Sequence, residues 1–186
     1  MSIISFSVTL SACPAGQYKS GGTCTNCPNG RYRASTGATA LSQCTACVAG
    51  KYGSGANGAT QSSSCVNCPP GKYSSSTARS SICADNCSGD CAAGYYCPAA
   101  STSSQQNACG GNTKYCPAGS SVAQNVPPGD YSIGGDTNTR TGTQTCPAGT
   151  YAESGVCKDC PRGRYGNQQG VTSSSCSGQC SEGYFW

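Results

Sequence analysis

One phrase recurs along this chain: a cysteine, two residues, a glycine, one residue, then an aromatic ring. It reads C-P-A-G-Q-Y at 13–18, C-P-N-G-R-Y at 27–32, C-V-A-G-K-Y at 47–52 and C-P-P-G-K-Y at 68–73. It returns as C-A-A-G-Y-Y at 91–96, C-P-A-G-T-Y at 146–151, C-P-R-G-R-Y at 160–165 and C-S-E-G-Y-F at 180–185. A phrase used this often at short spacing marks an array of small modules, each too small to bury a face by itself. Such a chain folds by cross-linking its modules, not by collapsing around one core.

Composition makes the same demand. The 186 residues hold 18 cysteines, but only two Leu, four Ile, seven Val and two Phe. Those large apolar residues are about 8% of the chain, against the roughly 20% below which an ordinary core cannot form. Ordering each residue costs about 1–2 kcal/mol. A disulfide closing a loop of about 15 residues offsets roughly 3 kcal/mol of that. Cystines must therefore stand in for the missing core, and the compartment must be oxidising, extracellular or lumenal.

The net charge of +4, with 10% charged residues, is too mild and too dispersed for a nucleic-acid binder. No run of 18 apolar residues is present, so no transmembrane helix is expected in this stretch. The opening segment alternates Ile4, Phe6, Val8 and Leu10 with Ser5, Ser7, Thr9 and Ser11. Period two predicts a half-buried strand, and its apolar face has few partners in its own chain. Two readings stay open: a strand added to a neighbouring subunit, or a leftover signal segment that lacks a basic start.

A longer period overlies the short one. Cys146 − Cys13, Cys157 − Cys24, Cys160 − Cys27, Tyr151 − Tyr18 and Tyr165 − Tyr32 all equal 133. The chain thus divides into 1–12, the N-terminal strand; 13–96, tandem modules; 97–145, an irregular middle; and 146–186, a second copy of the block. The middle has 29 residues without cysteine, 117–145, and is expected to form a hairpin near Gly134-Gly135, with a linker between two groups of modules as the alternative, since so long a structureless loop is uncommon in a compact domain. The phrase opened by Cys180 lacks a closing cysteine in this sequence. It reads as part of a longer array, or as a module completed by another molecule.

Four C-x-x-C pairs occur, at 24/27, 44/47, 65/68 and 157/160. Zinc could use two such pairs as four thiolates. The pairs do not group into fours, however, and the chain has no histidine. A ladder is simpler, with the second cysteine of each pair bonded to the first of the next: Cys13–Cys24, Cys27–Cys44, Cys47–Cys65, Cys68–Cys83, Cys146–Cys157 and Cys160–Cys176. Continued through the middle, it predicts Cys91–Cys109 and Cys97–Cys116. Cys87 and Cys180 are left over as inter-subunit candidates, together with the Ile4, Phe6, Val8 and Leu10 face. No metal or other cofactor is expected.

In each phrase glycine permits a turn at positive φ, and the tyrosine is expected to lay its ring over a cystine as a small core. The residue between them is often basic (Arg31, Lys51, Lys72, Arg164), which suits a solvated face or acidic glycans. With no histidine and seven scattered carboxylates, an enzyme is not expected; Asp85, Asp90, Asp130 and Asp136 read as turn residues. Asn86-Cys87-Ser88 is an N-glycosylation sequence. The serine triplets Ser62, Ser63, Ser64; Ser74, Ser75, Ser76; and Ser173, Ser174, Ser175 suit O-linked glycans.

The C-P-x-G-x-Y and C-x-x-C run over about 13–96 and 146–185 resembles the cysteine-rich repeats of ephrin-receptor and TNF-receptor ectodomains. It is nearer the ephrin-receptor-like type, because the C-x-x-C-x-x-C cluster of TNF-receptor modules is absent. The G-Y-Y-C-P, Y-C-P-A-G-S and P-P-G-D-Y stretches look like repeat-rich surface proteins of algae, oomycetes and other protists, flagellar hair (mastigoneme) proteins among them. The resemblance implies small disulfide-rich repeats in an elongated, solenoid-like rod of short β-hairpins and turns with almost no helix. The expected function is a self-associating, glycosylated structural subunit of an extracellular fibre or cell-surface appendage, whose partners are copies of itself. The alternatives are a receptor-type ectodomain that binds a protein ligand and a cysteine-rich surface antigen.

Overall fold

A computed structural model describes residues 11–55, 57–80 and 87–183. The fold is small, disulfide-rich and nearly all β. Its strands are two to four residues long and pair two by two into antiparallel hairpins. The only helical turns among the described residues are two three-residue 3-10 turns, Leu41–Gln43 and Ser62–Ser64. No helix there is long and apolar enough to cross a membrane. The Ile4, Phe6, Val8 and Leu10 strand, Cys83, Asp85 and Asn86 lie outside the described residues.

Each strand is short because its own sequence stops it. The phrase glycine turns the chain at positive φ (Gly16 79°, Gly30 85°, Gly71 86°, Gly149 86°). The next two residues then pair, the second being the tyrosine: Arg31–Tyr32 with Thr45–Ala46, Lys72–Tyr73 with Gly89–Asp90, and Arg164–Tyr165 with Gly178–Gln179. Tyr32 and Tyr73 are half-buried. A Cβ on Gly178 would come within 3.1 Å of the Tyr165 ring, so that glycine gives the ring its seat.

Two of the longer, four-residue hairpins occupy equivalent places in the 133-residue repeat: Gln17–Ser20 with Thr23–Asn26, and Thr150–Glu153 with Val156–Asp159. Their two-residue tips, Gly21-Gly22 (φ 57° and 86°) and Ser154-Gly155 (φ 54° and 73°), both take positive φ at each position. This is the tight turn whose twist matches a β-hairpin. The irregular middle also forms hairpins. Lys114–Tyr115 pairs with Gln124–Asn125, and Asp130–Ile133 pairs with Gly142–Thr145. Gly134 and Gly135 (φ 70° and 61°) open the second loop. Asp136 then holds it by accepting the Asn138 N–H at 2.8 Å.

Contacts gather the chain into two compact units, one of Met1–Asn67 with Ser76–Cys87 and the other of Cys68–Ser75 with Ser88–Trp186. Neither has an aliphatic core among its described residues. Apart from Ala38, every buried apolar residue among the described ones is a cysteine. The structure joins Cys13–Cys24, Cys27–Cys44, Cys47–Cys65, Cys146–Cys157 and Cys160–Cys176, with Cα atoms 5.4–6.1 Å apart. Cys68 and Cys87 are also disulfide-bonded, so Cys87 is not an inter-subunit thiol.

The middle rungs depart from the sequence expectation. Cys91 bonds Cys97 and Cys109 bonds Cys116, in place of Cys91–Cys109 and Cys97–Cys116. The reason is local. In C-A-A-G-Y-Y-C the turn at Gly94 (φ 85°) brings the cysteine after the tyrosines back onto the first. In C-G-G-N-T-K-Y-C, Gly110 and Gly111 (φ 86° and 66°) do the same. Loops roughly a third as long also cost about 1 kcal/mol less entropy to close.

Candidate functional site

The recurring geometry of this chain is the face that each phrase presents to the module after it. Two backbone groups define that face, the carbonyl of the phrase cysteine and the N–H of the residue six positions later. Both reach the same two-residue turn of the following module. Cys13 O accepts from Gly37 N at 2.7 Å, while Lys19 N donates to Ala38 O at 2.9 Å. Cys27 O and Arg33 N meet Gly58 and Ala59 at 2.8 and 2.9 Å. Cys47 O and Gly53 N meet Ala78 and Arg79 at 2.8 and 2.7 Å.

The second unit repeats the clamp. Cys68 O and Ser74 N hold Ala100 and Ser101, both at 3.0 Å. Cys91 O and Cys97 N hold Gly119 and Ser120 at 2.9 and 3.0 Å, and Cys146 O and Ala152 N hold Gly170 and Val171 at 2.9 and 2.7 Å. In all six the first turn residue has positive φ: Gly37, Gly58, Ala78, Ala100, Gly119 and Gly170 lie between 56° and 76°. The phrase glycine also packs against the turn held by the next phrase's clamp. A Cβ on Gly16 would sit 2.1 Å from Gly58 O, and one on Gly71 would sit 2.4 Å from Gly119 O. Phrase glycine therefore answers two demands, positive φ and contact with a neighbouring backbone.

Charged side chains are engaged beside their own modules. Arg31 donates to Cys44 O at 2.9 Å, Arg33 to Gln43 O at 2.9 Å and Arg164 to Ser175 O at 3.0 Å, while Lys72 pairs with Asp90 at 2.7 Å. Three of the four basic residues in the Gly-x-Tyr phrases are thereby tied to backbone or carboxylate next to them. Of the carboxylates read as turn residues, Asp136 sits in a turn, whereas Asp90 and Asp130 lie in strands. Hydrogen bonds from Asn138 and Thr139 hold the Asp136 carboxyl below its ordinary pKa; the Glu153 carboxylate raises that of Lys158. Among the described residues, no three His, Cys, Asp or Glu side chains gather as a metal site.

An open cleft of about 540 Å³ is bordered by Tyr131, Ser132, Ile133, Arg140, Val156 and Cys157. It offers no nucleophile–base pair, and Arg140 is turned to Asn112 Oδ1 through two N–H bonds of 3.3 and 3.1 Å.

The serine triplets differ in access. Ser62, Ser63, Ser75, Ser76, Ser173, Ser174 and Ser175 are exposed, and Ser64 is half-buried with its hydroxyl donating to Gln61 O at 2.6 Å. Ser74 is 0% exposed, which removes it from the glycosylation candidates. It directly follows the tyrosine, so its N–H belongs to a clamp and its side chain faces inward. Cys180 is the one free thiol among the described residues and is partly exposed.

No family model matches this chain, and the search of curated proteins finds no match.

Proposed function

We propose that the chain is a non-catalytic structural subunit of an extracellular fibre or cell-surface appendage. Its modules are stiffened by cystines, its exposed serines carry glycans, and it associates with copies of itself into an elongated assembly. The observation that carries this reading is the six-fold clamp. A module face made of backbone groups joins like to like, whereas a ligand-binding surface needs anchors of its own, typically exposed aromatic or arginine side chains set into pockets. Here Arg31, Arg33 and Arg164 are turned to neighbouring carbonyls. The cysteine density is that of a secreted, extracellular protein.

The test is electron microscopy of native, unreduced material from its source. Filaments with a regular axial repeat that contain this chain support the proposal. Dispersed single molecules at the concentrations found in situ refute it and favour a receptor ectodomain or surface antigen.

A further inference from the structure

The internal repeat allows the faces of the Cys13 and Cys27 phrases to be compared with their twins 133 residues away, and the second pair differs. In the first copy the face of Cys27 and Arg33 is closed by Gly58 and Ala59. Its twin consists of Cys160 O and Gly166 N, and neither has a hydrogen-bond partner among the described residues.

Burial follows the same division. Gly16 and Gly30 are buried, whereas Gly149 and Gly163 are exposed. A Cβ on Gly16 or Gly30 would strike a backbone carbonyl at 2.1 or 2.5 Å, but one on Gly149 or Gly163 would meet nothing within 4 Å. Cys27 and Cys44 are 0% exposed, while Cys160 and Cys176 are partly open. Tyr32 is half-buried and bridged to Ala59, whereas Tyr165 is 42% exposed. Around this bare face lies an open cleft lined by Ala148, Gly149, Cys160, Tyr165 and Asn167. The local fold of the twin is otherwise intact: Gly149 N still donates to Gly166 O at 2.7 Å and Cys160 N to Gly149 O at 2.9 Å, as Gly16 and Cys27 do at 2.9 and 2.7 Å.

We propose that Cys160 O, Gly166 N–H and Tyr165 form a docking face for one further cysteine-rich repeat of the same kind. Its occupant is a two-residue turn, Gly or Ala at positive φ followed by a residue with a free carbonyl, completing a seventh clamp. The six clamps within the chain specify this occupant, because each closes an identical pair of groups with that element and no other. The face is a property of the module and does not depend on the fibre assignment.

The experiment supplies the occupant from the chain's own sequence. Gly183 is the twin of Gly50 in the 133-residue repeat, so a copy of Lys51–Asn67 is appended after Gly183 in place of 184–186. During oxidative refolding the Cys180 thiol and the appended copy of the Cys65 thiol form one disulfide. They release two protons and two electrons to glutathione disulfide, which becomes two glutathione thiols. The readouts are hydrogen exchange at the Gly166 amide and nitration of Tyr165, both compared with the parent chain.

Docking slows Gly166 exchange by about tenfold or more, as expected for an amide gaining a net hydrogen bond in a packed interface, and protects Tyr165. In a second chain the appended copy of Gly58 is replaced by proline, which removes the donor and forbids positive φ; both protections are then lost while the Cys180 disulfide remains. Closure of that disulfide without a change at Gly166 and Tyr165 overturns the proposal. Failure of the appended repeat to close on Cys180 also overturns it, since the face is proposed to seat that repeat.

Discussion

The paired glycines Gly16 and Gly149 allow module docking to be measured by subtraction. Each has positive φ (79° and 86°), and each makes the same local bonds. Alanine at either position pays the left-handed penalty of about 1–2 kcal/mol, partly offset by about 0.4–1 kcal/mol from a less flexible unfolded chain. The net cost common to both is therefore about 0.5–1 kcal/mol. Only at Gly16 does the new methyl meet a neighbour, with Gly58 O at 2.1 Å and Gly58 C at 2.8 Å. Relieving that overlap moves the 58–59 turn by about 1 Å, since non-bonded carbon contacts settle near 3.5 Å. The move breaks Gly58 N to Cys27 O and Arg33 N to Ala59 O, bonds worth about 0.5–1.5 kcal/mol each. Gly16→Ala should thus be about 2 kcal/mol worse than Gly149→Ala, some 30-fold in the local opening constant. Global melting is the wrong assay, because opening in a repeat array is local. Native-state hydrogen exchange read at Cys27 N for one variant and Cys160 N for the other isolates the term. Equal losses of protection would refute the claim that the turn held by the next phrase's clamp bears on the phrase glycine.

Three further outcomes are expected. Non-reducing digestion at acid pH should yield Cys91–Cys97 and Cys109–Cys116 peptides, and replacing both Cys109 and Cys116 by alanine should cost about 2–3 kcal/mol for so short a loop; recovery of Cys91–Cys109 peptides would refute the local pairing. Ala100, held at φ 63° in its clamp, should accept glycine with a gain of about 0.5 kcal/mol, the left-handed penalty less the added chain entropy; it is read as slower exchange at Ala100 and Ser74, and faster exchange would count against the strained turn. For Asp136 the folded pKa lies below the ordinary 3.8, so its stabilisation of the 136–139 turn is present above that value and lost as pH falls through the lower folded pKa. The Asn138 amide shift should therefore titrate with a midpoint below 3.8 and become pH-independent in Asp136→Asn, whereas a midpoint at or above the ordinary value would remove the assigned bonds.

The parts of the structure that were legible in the sequence are those written in residue types. The ladder expected from the cysteine spacing agrees with the structure at Cys27–Cys44 and Cys47–Cys65, because each intervening segment folds back and returns its ends to one place. The phrase glycine announces positive φ, since no other residue takes it without strain. The clamps were not legible, because they are made of backbone groups that every residue carries. Their one signature, positive φ in the turn, is masked where alanine stands at 78 and 100. Middle pairing failed for a related reason: spacings of six and seven compete with eighteen and nineteen, and only the turn at Gly94 or Gly110-Gly111 decides between them. The triplets 62–64, 74–76 and 173–175 read alike as serine runs, yet Ser74 alone follows a phrase tyrosine and is thereby turned inward. The G-x-Y spacing carried that signal.

A chain with so few aliphatic residues to bury has to join its modules by what remains, and among the described residues that is cystine within each module and backbone between modules. Backbone clamps carry little side-chain specificity. Ala38, Ala59, Arg79, Ser101, Ser120 and Val171 all occupy the same second turn position and present the same carbonyl. Any face can therefore accept any turn, and the order of modules must be fixed by covalent connectivity and by disulfides. Outward side chains are in turn freed from structural duty, which allows serine-rich, weakly charged segments such as 173–175 to coexist with a defined fold. Such a design suits repetition more than recognition: adding a module requires one more cystine and one small residue at positive φ, and leaves the rest of the chain undisturbed.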